Sequence, residues 1–275
     1  MDTAADGLPT PPELAFPPFG ELLTQRFYIP FAIYFVFFSV TSRLVRAYTF
    51  QNQKGFRQYR LHNLTVCALH SVISGFWCLA VFLSHLDEVF NDVIYWYDEV
   101  AAQLPVLSIA YFVHDAIHMI RHEWSPWTLE LLAHHVATIL ALLVGLLTRR
   151  FLLADYWALL MEVNSIFLHM RTIMQLTGQS KTSPRLFITV VQTNLITFVL
   201  FRFVAQLCFA KWSWDHRDQM HWYYFLIGFG GEIFFSCING ILFVRVLAAD
   251  GYLGDKYKSR DRDAPRIEKE EKKNE

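Results

Sequence analysis

Apolar residues in this chain run in long blocks broken by short polar connections. Seven stretches are predominantly apolar: 27–42, 61–83, 104–120, 131–147, 151–173, 186–210 and 222–247. A helix that crosses a bilayer needs about 20 mostly apolar residues. A transmembrane barrel would instead show alternating segments of about 10 residues. The pattern therefore predicts an all-α, polytopic membrane helical bundle of about seven transmembrane helices. The first stretch is short, and only Thr148, Arg149 and Arg150 separate the fourth from the fifth. There is no internal repeat and no linker to a further domain. The chain divides into a Pro-rich N-terminal tail (1–26), a first transmembrane helix with a basic connection (27–56), the main helical domain (57–247) and a charged C-terminal tail (248–275).

Composition sharpens this reading. Hydrophobic residues make up 54% of the 275 residues and charged residues 18%, against about 25% charged in an ordinary soluble domain. Many of the charges sit in the tail from residue 250 onward, so the remainder is poorer still. A soluble enzyme, a disordered protein and a nucleic-acid binder all fit badly, and a net charge of −1 offers nucleic acid no general attraction. Cys67, Cys78, Cys208 and Cys237 all lie in apolar stretches and are expected to be buried packing residues without disulfides. The first 20 residues carry five prolines and no basic residue, so no cleavable signal peptide is expected.

Loop charge sets the expected orientation. With the N-terminus outside and the C-terminus cytosolic, only Arg26, Arg149, Arg150, Lys211 and Arg217 fall on the outer side. Apart from Arg202, inside a span, all other Lys and Arg residues face the cytosol. The first outer loop is acidic, with Asp87, Glu88, Asp92, Asp98 and Glu99. The sequon at Asn63 would face the cytosol and remain unmodified.

Ionisable residues inside apolar spans are costly and point to function. Here they include His70, His114, Asp115, His118, His134, His135, Glu162, His169, Arg202 and Glu232. Six histidines from four spans fall in the cytosolic half. His114 and His118, four residues apart, share a helix face. The short 121–130 connection makes the third and fourth spans antiparallel neighbours, so this pair is expected to face His134 or His135. These two point about 100° apart, so only one can join the cluster.

Three chemistries could use the set. A buried imidazole with a carboxylate partner, Asp115 or Glu162, could act as base or nucleophile in acyl transfer, with His134 or His135 in that role. Imidazoles could bind a metal. His114-Asp-Ala-Ile-His118 resembles one histidine box of membrane desaturases, but no His-x-x-His-His box accompanies it, and no metal is expected. Taken singly, the same residues could hydrogen-bond between helices. As a set they point to a polar, lipid-binding cavity. Arg202 is expected to pair with Glu162 or Glu232, or with a headgroup or acyl-CoA phosphate.

Several segments resemble the TLC-domain family, which includes the translocating-chain-associating membrane protein, ceramide synthases and the neuronal ceroid lipofuscinosis protein of the endoplasmic reticulum. They are Leu61-His62-Asn63-Leu64, His70-Ser71 with Ser74-Gly75-x-Trp77, Tyr111-Phe112-Val113-His114-Asp115, His134-His135-Val136 and Glu162-Val163-Asn164-Ser165-Ile166-Phe167-Leu168. Their order and spacing place the domain at about 57–247, formed by the last six spans, and look most like the branch of calfacilitin and the nematode membrane fluidity homeostasis protein. His134-His135-Val136-Ala137-Thr138 matches the His-His-x-x-Thr of ceramide synthases. Where those enzymes carry His-Asp-x-x-Asp, this chain has Glu162-Val163-Asn164-Ser165, which weighs against ceramide synthesis and leaves other acyl chemistry open.

The resemblance implies control of phospholipid acyl composition and membrane fluidity, limiting incorporation of polyunsaturated chains and promoting rigidity. The expected lipid- or acyl-contacting residues are His114, Asp115, His118, Glu162, Arg202, His70 and His169, around His134 and His135. The expected ligands are membrane phospholipids or acyl-CoA, the latter as a possible substrate, and no cofactor is expected. One alternative is an acyl-CoA-dependent lipid acyltransferase. Another is a partner of a membrane protein such as a channel. The branch points to the plasma membrane, whereas Lys272-Lys273 near the C-terminus could act as a retrieval address to the endoplasmic reticulum.

Overall fold

The computed structural model describes residues 17–122 and 124–254. The tail containing Lys272 and Lys273 lies outside the described residues. Among those described, the secondary structure is helical: α1 Gln25–Tyr48, α2 Gly55–Ser84, α3 Leu86–Asn91, α4 Gln103–His122, α5 Pro126–Thr148, α6 Leu152–Leu159, α7 Met161–Leu176, α8 Gln179–Thr182, α9 Pro184–Phe198, α10 Ala205–Asp215, α11 Trp222–Phe225 and α12 Gly231–Ala249. The all-α membrane architecture read from the sequence is thus the one observed.

Among the described residues, five helical segments are long and apolar enough to cross a bilayer: Gln25–Tyr48, Gly55–Ser84, Thr128–Thr148, Pro184–Asp215 and Trp222–Ala249. The other two predicted spans differ in instructive ways. α4 has the length, but five of its last nine residues are His, Asp or Arg, and the helix is packed inside the bundle. Leu104–Phe112 is buried on every face of the helix. The predicted 151–173 span is two helices that meet at Leu160. Two side chains from neighbouring helices hydrogen-bond to carbonyls just before this break. The Cys78 thiol donates to the Tyr156 carbonyl at 3.2 Å, and the Gln206 amide donates to the Trp157 carbonyl at 3.1 Å. The Tyr156 carbonyl also keeps its helical bond from the Leu160 N–H at 3.0 Å, and just past the break the Val163 N–H donates to the Leu160 carbonyl in a tighter turn.

The helix from Pro184 to Asp215 carries a π-helical turn over Val199–Val204, and the helix ending at Ala249 carries another over Leu226–Gly230. Such turns insert one residue into the helical repeat and recur at functional sites. Arg202 sits in the first.

α2 packs antiparallel on α6 and α7 through small residues. Ser71, Ser74, Gly75 and Cys78 recur at helical spacing and are buried. A Cβ on Gly75 would lie 3.3 Å from the backbone of Val163, so glycine permits this close approach. α1 runs parallel to α4, with Phe38 stacked edge-on to Tyr111. The 92–102 segment folds over the other end, where Tyr156 donates to the Ala101 carbonyl and Trp157 to that of Val89. Arg149 and Phe151 adopt left-handed backbone angles, which close the three-residue connection from α5 to α6.

The four cysteines divide. Cys67 and Cys78 are buried as expected, whereas Cys208 and Cys237 are exposed on the outside of the bundle. In a membrane protein the apolar face of a helix can meet lipid, so an apolar stretch alone does not mark its thiols as internal.

Candidate functional site: a charged-mouthed cavity within the bundle

Between α2, α4, α5, α7 and α12 lies a cavity of about 290 Å³. It starts at the end of the bundle that carries the basic connections around residues 54 and 181. There it is lined by Arg60, Glu130, Arg171 and Arg245, and it deepens to Arg202, Ala158 and Phe235. Leu64, Leu142, Leu159, Leu168, Ile238 and Leu242 supply apolar wall.

Two bidentate ion pairs brace the mouth. Arg171 grips Asp250 from Nε and Nη2 at 2.6–3.0 Å, joining the end of α7 to the end of α12. Arg245 grips Glu130 at 3.0–3.1 Å, joining α12 to α5. The first pair is buried, whereas the second is partly exposed, so this end meets the surface. A fork of donors on a planar carboxylate fixes orientation as well as distance.

Midway down, Asp115 on α4 faces His135 on α5. His135 Nε2 lies 3.0 Å from Asp115 Oδ2, and its Nδ1 lies 2.7 Å from the Leu131 carbonyl oxygen. Both ring nitrogens are therefore occupied. Next to it, the ring of His134 meets Phe235 edge-on, and its Nδ1 makes no hydrogen bond among the described residues. Of the two adjacent histidines, His134 is the one that keeps a nitrogen available.

Glu162 accepts a hydrogen bond of 2.6 Å from Ser71, and one of its oxygens lies 3.7 Å from His70 Nδ1. His70 lies behind the wall rather than on it. Its ring stacks on Tyr111 with centroids 3.9 Å apart, and its Nε2 is 3.2 Å from Ser108 Oγ.

At the deep end, Arg202 donates from Nε to Asn164 Oδ1 at 2.7 Å, from Nη1 to Asn239 Oδ1 at 2.8 Å and from Nη2 to Ser165 Oγ at 2.7 Å. Asn164 in turn donates to the carbonyl and side chain of Asn194 and to Thr197. The expected ion pair with Glu162 or Glu232 is not what the geometry shows. Among the described residues, neutral oxygens hold the guanidinium, so its positive charge is not cancelled by a carboxylate in contact. Each of the three nitrogens takes a separate acceptor on α7 or α12, an arrangement that a single carboxylate could not provide.

The expected cluster thus divides. Asp115, His134, His135, Glu162, His169 and Arg202 line the cavity. His114 and His118 do not, and they do not face His134 or His135. Their side of α4 turns toward α1 and α2, where His114 meets Phe35 and His118 stacks on Tyr59. Residue 115 is the one that points across to α5, since adjacent positions diverge by about 100°. Reading by sequence missed the asparagine set Asn164, Asn194 and Asn239, and it treated Arg60, Arg171 and Arg245 as orientation charges only. Amides placed at matching depths in three apolar helices were the available signal for the first. Nothing in spacing alone could pair Arg245 with Glu130 across 115 positions.

Comparison with known proteins matches residues 60–248 to the TLC domain, the family of TRAM, LAG1 and CLN8. The chain is similar to TLC domain-containing protein 2 of Danio rerio, with 29% identity over 70% of this chain and 77% of that protein. It is similar to TLC domain-containing protein 1 of Gallus gallus, with 33% identity over 55% of this chain and 59% of that protein. For TLC domain-containing protein 1 of Homo sapiens the identity is 29%, over 70% and 76%. The family match covers more than half of the chain and every cavity-lining residue except Ala249, and the chain belongs to the TLC domain family of multi-pass membrane proteins.

Proposed function

We propose that the cavity receives a lipid or an acyl-CoA, with the fatty chain along its apolar wall and a phosphate at the arginine mouth. Through this site the protein adjusts the acyl composition of membrane phospholipids, limits polyunsaturated chains and promotes rigidity. One observation carries the reading: a cavity within a membrane bundle combines apolar wall with a surface end that gathers Arg60 and the ion-paired Arg171 and Arg245, and it is positive at its floor through Arg202. Because the forks of Arg171 and Arg245 hold Asp250 and Glu130, a phosphate there would share their guanidinium donors with those carboxylates. The basic end faces the cytosol in this reading, the side where acyl-CoA is found, and the plasma membrane is the favoured location over the endoplasmic reticulum.

The test is lipid profiling of cells that lack the protein, complemented with wild type or with Leu142→Trp, which fills the apolar wall. Wild type should restore the proportion of polyunsaturated phospholipid, and the filled variant should not. Equal restoration by a Leu142→Trp protein shown to be folded and correctly placed would defeat the reading.

A second reading, acyl transfer, is favoured by His134, which lines the cavity and whose buried Nδ1 makes no hydrogen bond among the described residues. His134 would take the proton of an acceptor hydroxyl or amine as that atom attacks the thioester carbonyl. The thiolate of coenzyme A would leave and collect the proton. His134→Ala should then abolish the lipid change while acyl-CoA still binds. A non-catalytic binding role, or a role as partner of a channel, predicts that His134→Ala changes nothing.

A further inference from the structure

A second, smaller space of about 60 Å³ lies beyond Phe235, away from the arginine mouth. It shares Ala141, Ala158 and Phe235 with the first cavity. Two acids reach its wall, Asp155 from α6 and Glu232 from α12, each only 4% exposed. Oδ2 of Asp155 and Oε2 of Glu232 are buried and make no hydrogen bond among the described residues. Among those residues the space has no Lys, Arg or His in its lining.

This differs from every acid described above. Asp115 has His135, Glu162 has Ser71, Glu130 has Arg245 and Asp250 has Arg171. A carboxylate removed from water without a partner is costly, and in a membrane interior it marks a site. Burial of Asp155 is also tight. A Cβ on Gly145 would collide with its Oδ2, so α5 has left room at that position for the carboxyl oxygen.

The space is about a fifth of the first cavity and has room for a few water molecules. Its remaining lining includes the Ser213 hydroxyl and the aromatic rings of Phe151, Trp212 and Tyr224. Asp155 and Glu232 are the only charged side chains among the described lining, and the aromatic faces beside them suit a cation of single charge.

We propose that this space binds one small monovalent cation, an alkali-metal ion or the primary ammonium of an amino compound, at the Asp155 and Glu232 carboxyl groups. One cation and one proton then neutralise the two acids. The site is separate from His134 and Arg202, and its assignment does not depend on the lipid reading.

The test is thermal unfolding of the full chain in detergent, in chloride salts at one ionic strength and pH. Sodium, potassium and methylammonium are compared with N-methyl-D-glucamine, which is too large for the space. A fitting cation should raise the unfolding midpoint in a saturable way, by about 5 °C when its concentration far exceeds its dissociation constant. Sodium or potassium acting alone identifies a metal-ion site, and methylammonium acting alone identifies an ammonium site. Asp155→Asn with Glu232→Gln should remove the dependence, and Gly145→Ala should weaken it by displacing Asp155. Equal midpoints in all four salts would mean that both acids are simply protonated, and the proposal falls. It also falls if the double variant keeps the wild-type response.

Discussion

Asp115 and His135 meet across the interface of α4 and α5 at 3.0 Å, while the Leu131 carbonyl occupies the other ring nitrogen. The pair is buried, and it joins a helix of mixed character to one apolar enough to span the bilayer. Its geometry makes His135 a fastener, whereas Nδ1 of the adjacent His134 makes no hydrogen bond among the described residues.

Loss of this contact should loosen the bundle. Asp115→Asn and His135→Asn are each expected to cost about 1–2 kcal/mol, the range of an interhelical hydrogen bond in a membrane. The double variant should cost clearly less than the sum, because the second change removes a partner that is already lost. Unfolding in mixed micelles measures all three. Strict additivity would show that the two side chains do not act as a unit.

Arg202 should resist conservative change. Lysine keeps the charge but cannot direct donors at Asn164, Asn239 and Ser165 together. Arg202→Lys is expected to destabilise the fold by about 2–4 kcal/mol, as hydrogen bonds to a charged group are lost. Arg202→Glu combined with Glu162→Arg should be no better than either single change. Rescue by that exchange would revive the direct ion pair.

Gly75 should tolerate no bulk. Its hydrogen faces Val163 and Ile166 at a distance that leaves no space for a branched side chain. Gly75→Val is expected to cost about 1–3 kcal/mol through overpacking. Gly20, where a Cβ would meet nothing within 4 Å, provides the control, and Gly20→Ala should leave the midpoint unchanged. A neutral Gly75→Val would mean that α2 and α7 can separate without penalty.

Orientation can be read from thiol labelling. Cysteine placed at exposed Asn52, in the connection from α1 to α2, should be protected from an impermeant maleimide in intact cells and react after permeabilisation. Cysteine placed at exposed Asp87, in α3, should react without it. Cys208 and Cys237 are changed to Ser first, since both are exposed on the bundle. The reverse pattern would put the arginine mouth on the outer side.

Much of this architecture was legible in the residues. Long apolar runs gave helices, and the motifs around His134, Glu162 and Tyr111 led to the family. The limits have physical causes. Hydropathy is summed along one segment, so it could not register the break at Leu160 or the contacts that Cys78 and Gln206, far away in the chain, make with the carbonyls of Tyr156 and Trp157 beside it. Histidines at i and i+4 were assigned one face correctly, but periodicity does not say which neighbour that face meets. A formal charge in an apolar span was expected to seek its opposite, whereas Arg202 finds three neutral oxygens instead. Amides are quieter signals than carboxylates, and Asn164 and Asn239 were passed over for that reason.

The π-helical turn over Val199–Val204 has a consequence for how this segment can evolve. An added residue in a helix turns everything beyond it by about 100°. Arg202 reaches Asn164 and Asn239 only because that offset is present, so the number of residues in the turn matters more than which apolar ones they are. Exchanges among Val, Leu and Phe there can accumulate while the guanidinium stays in register. Removal of a single residue would rewind the helix and aim the charge at hydrocarbon.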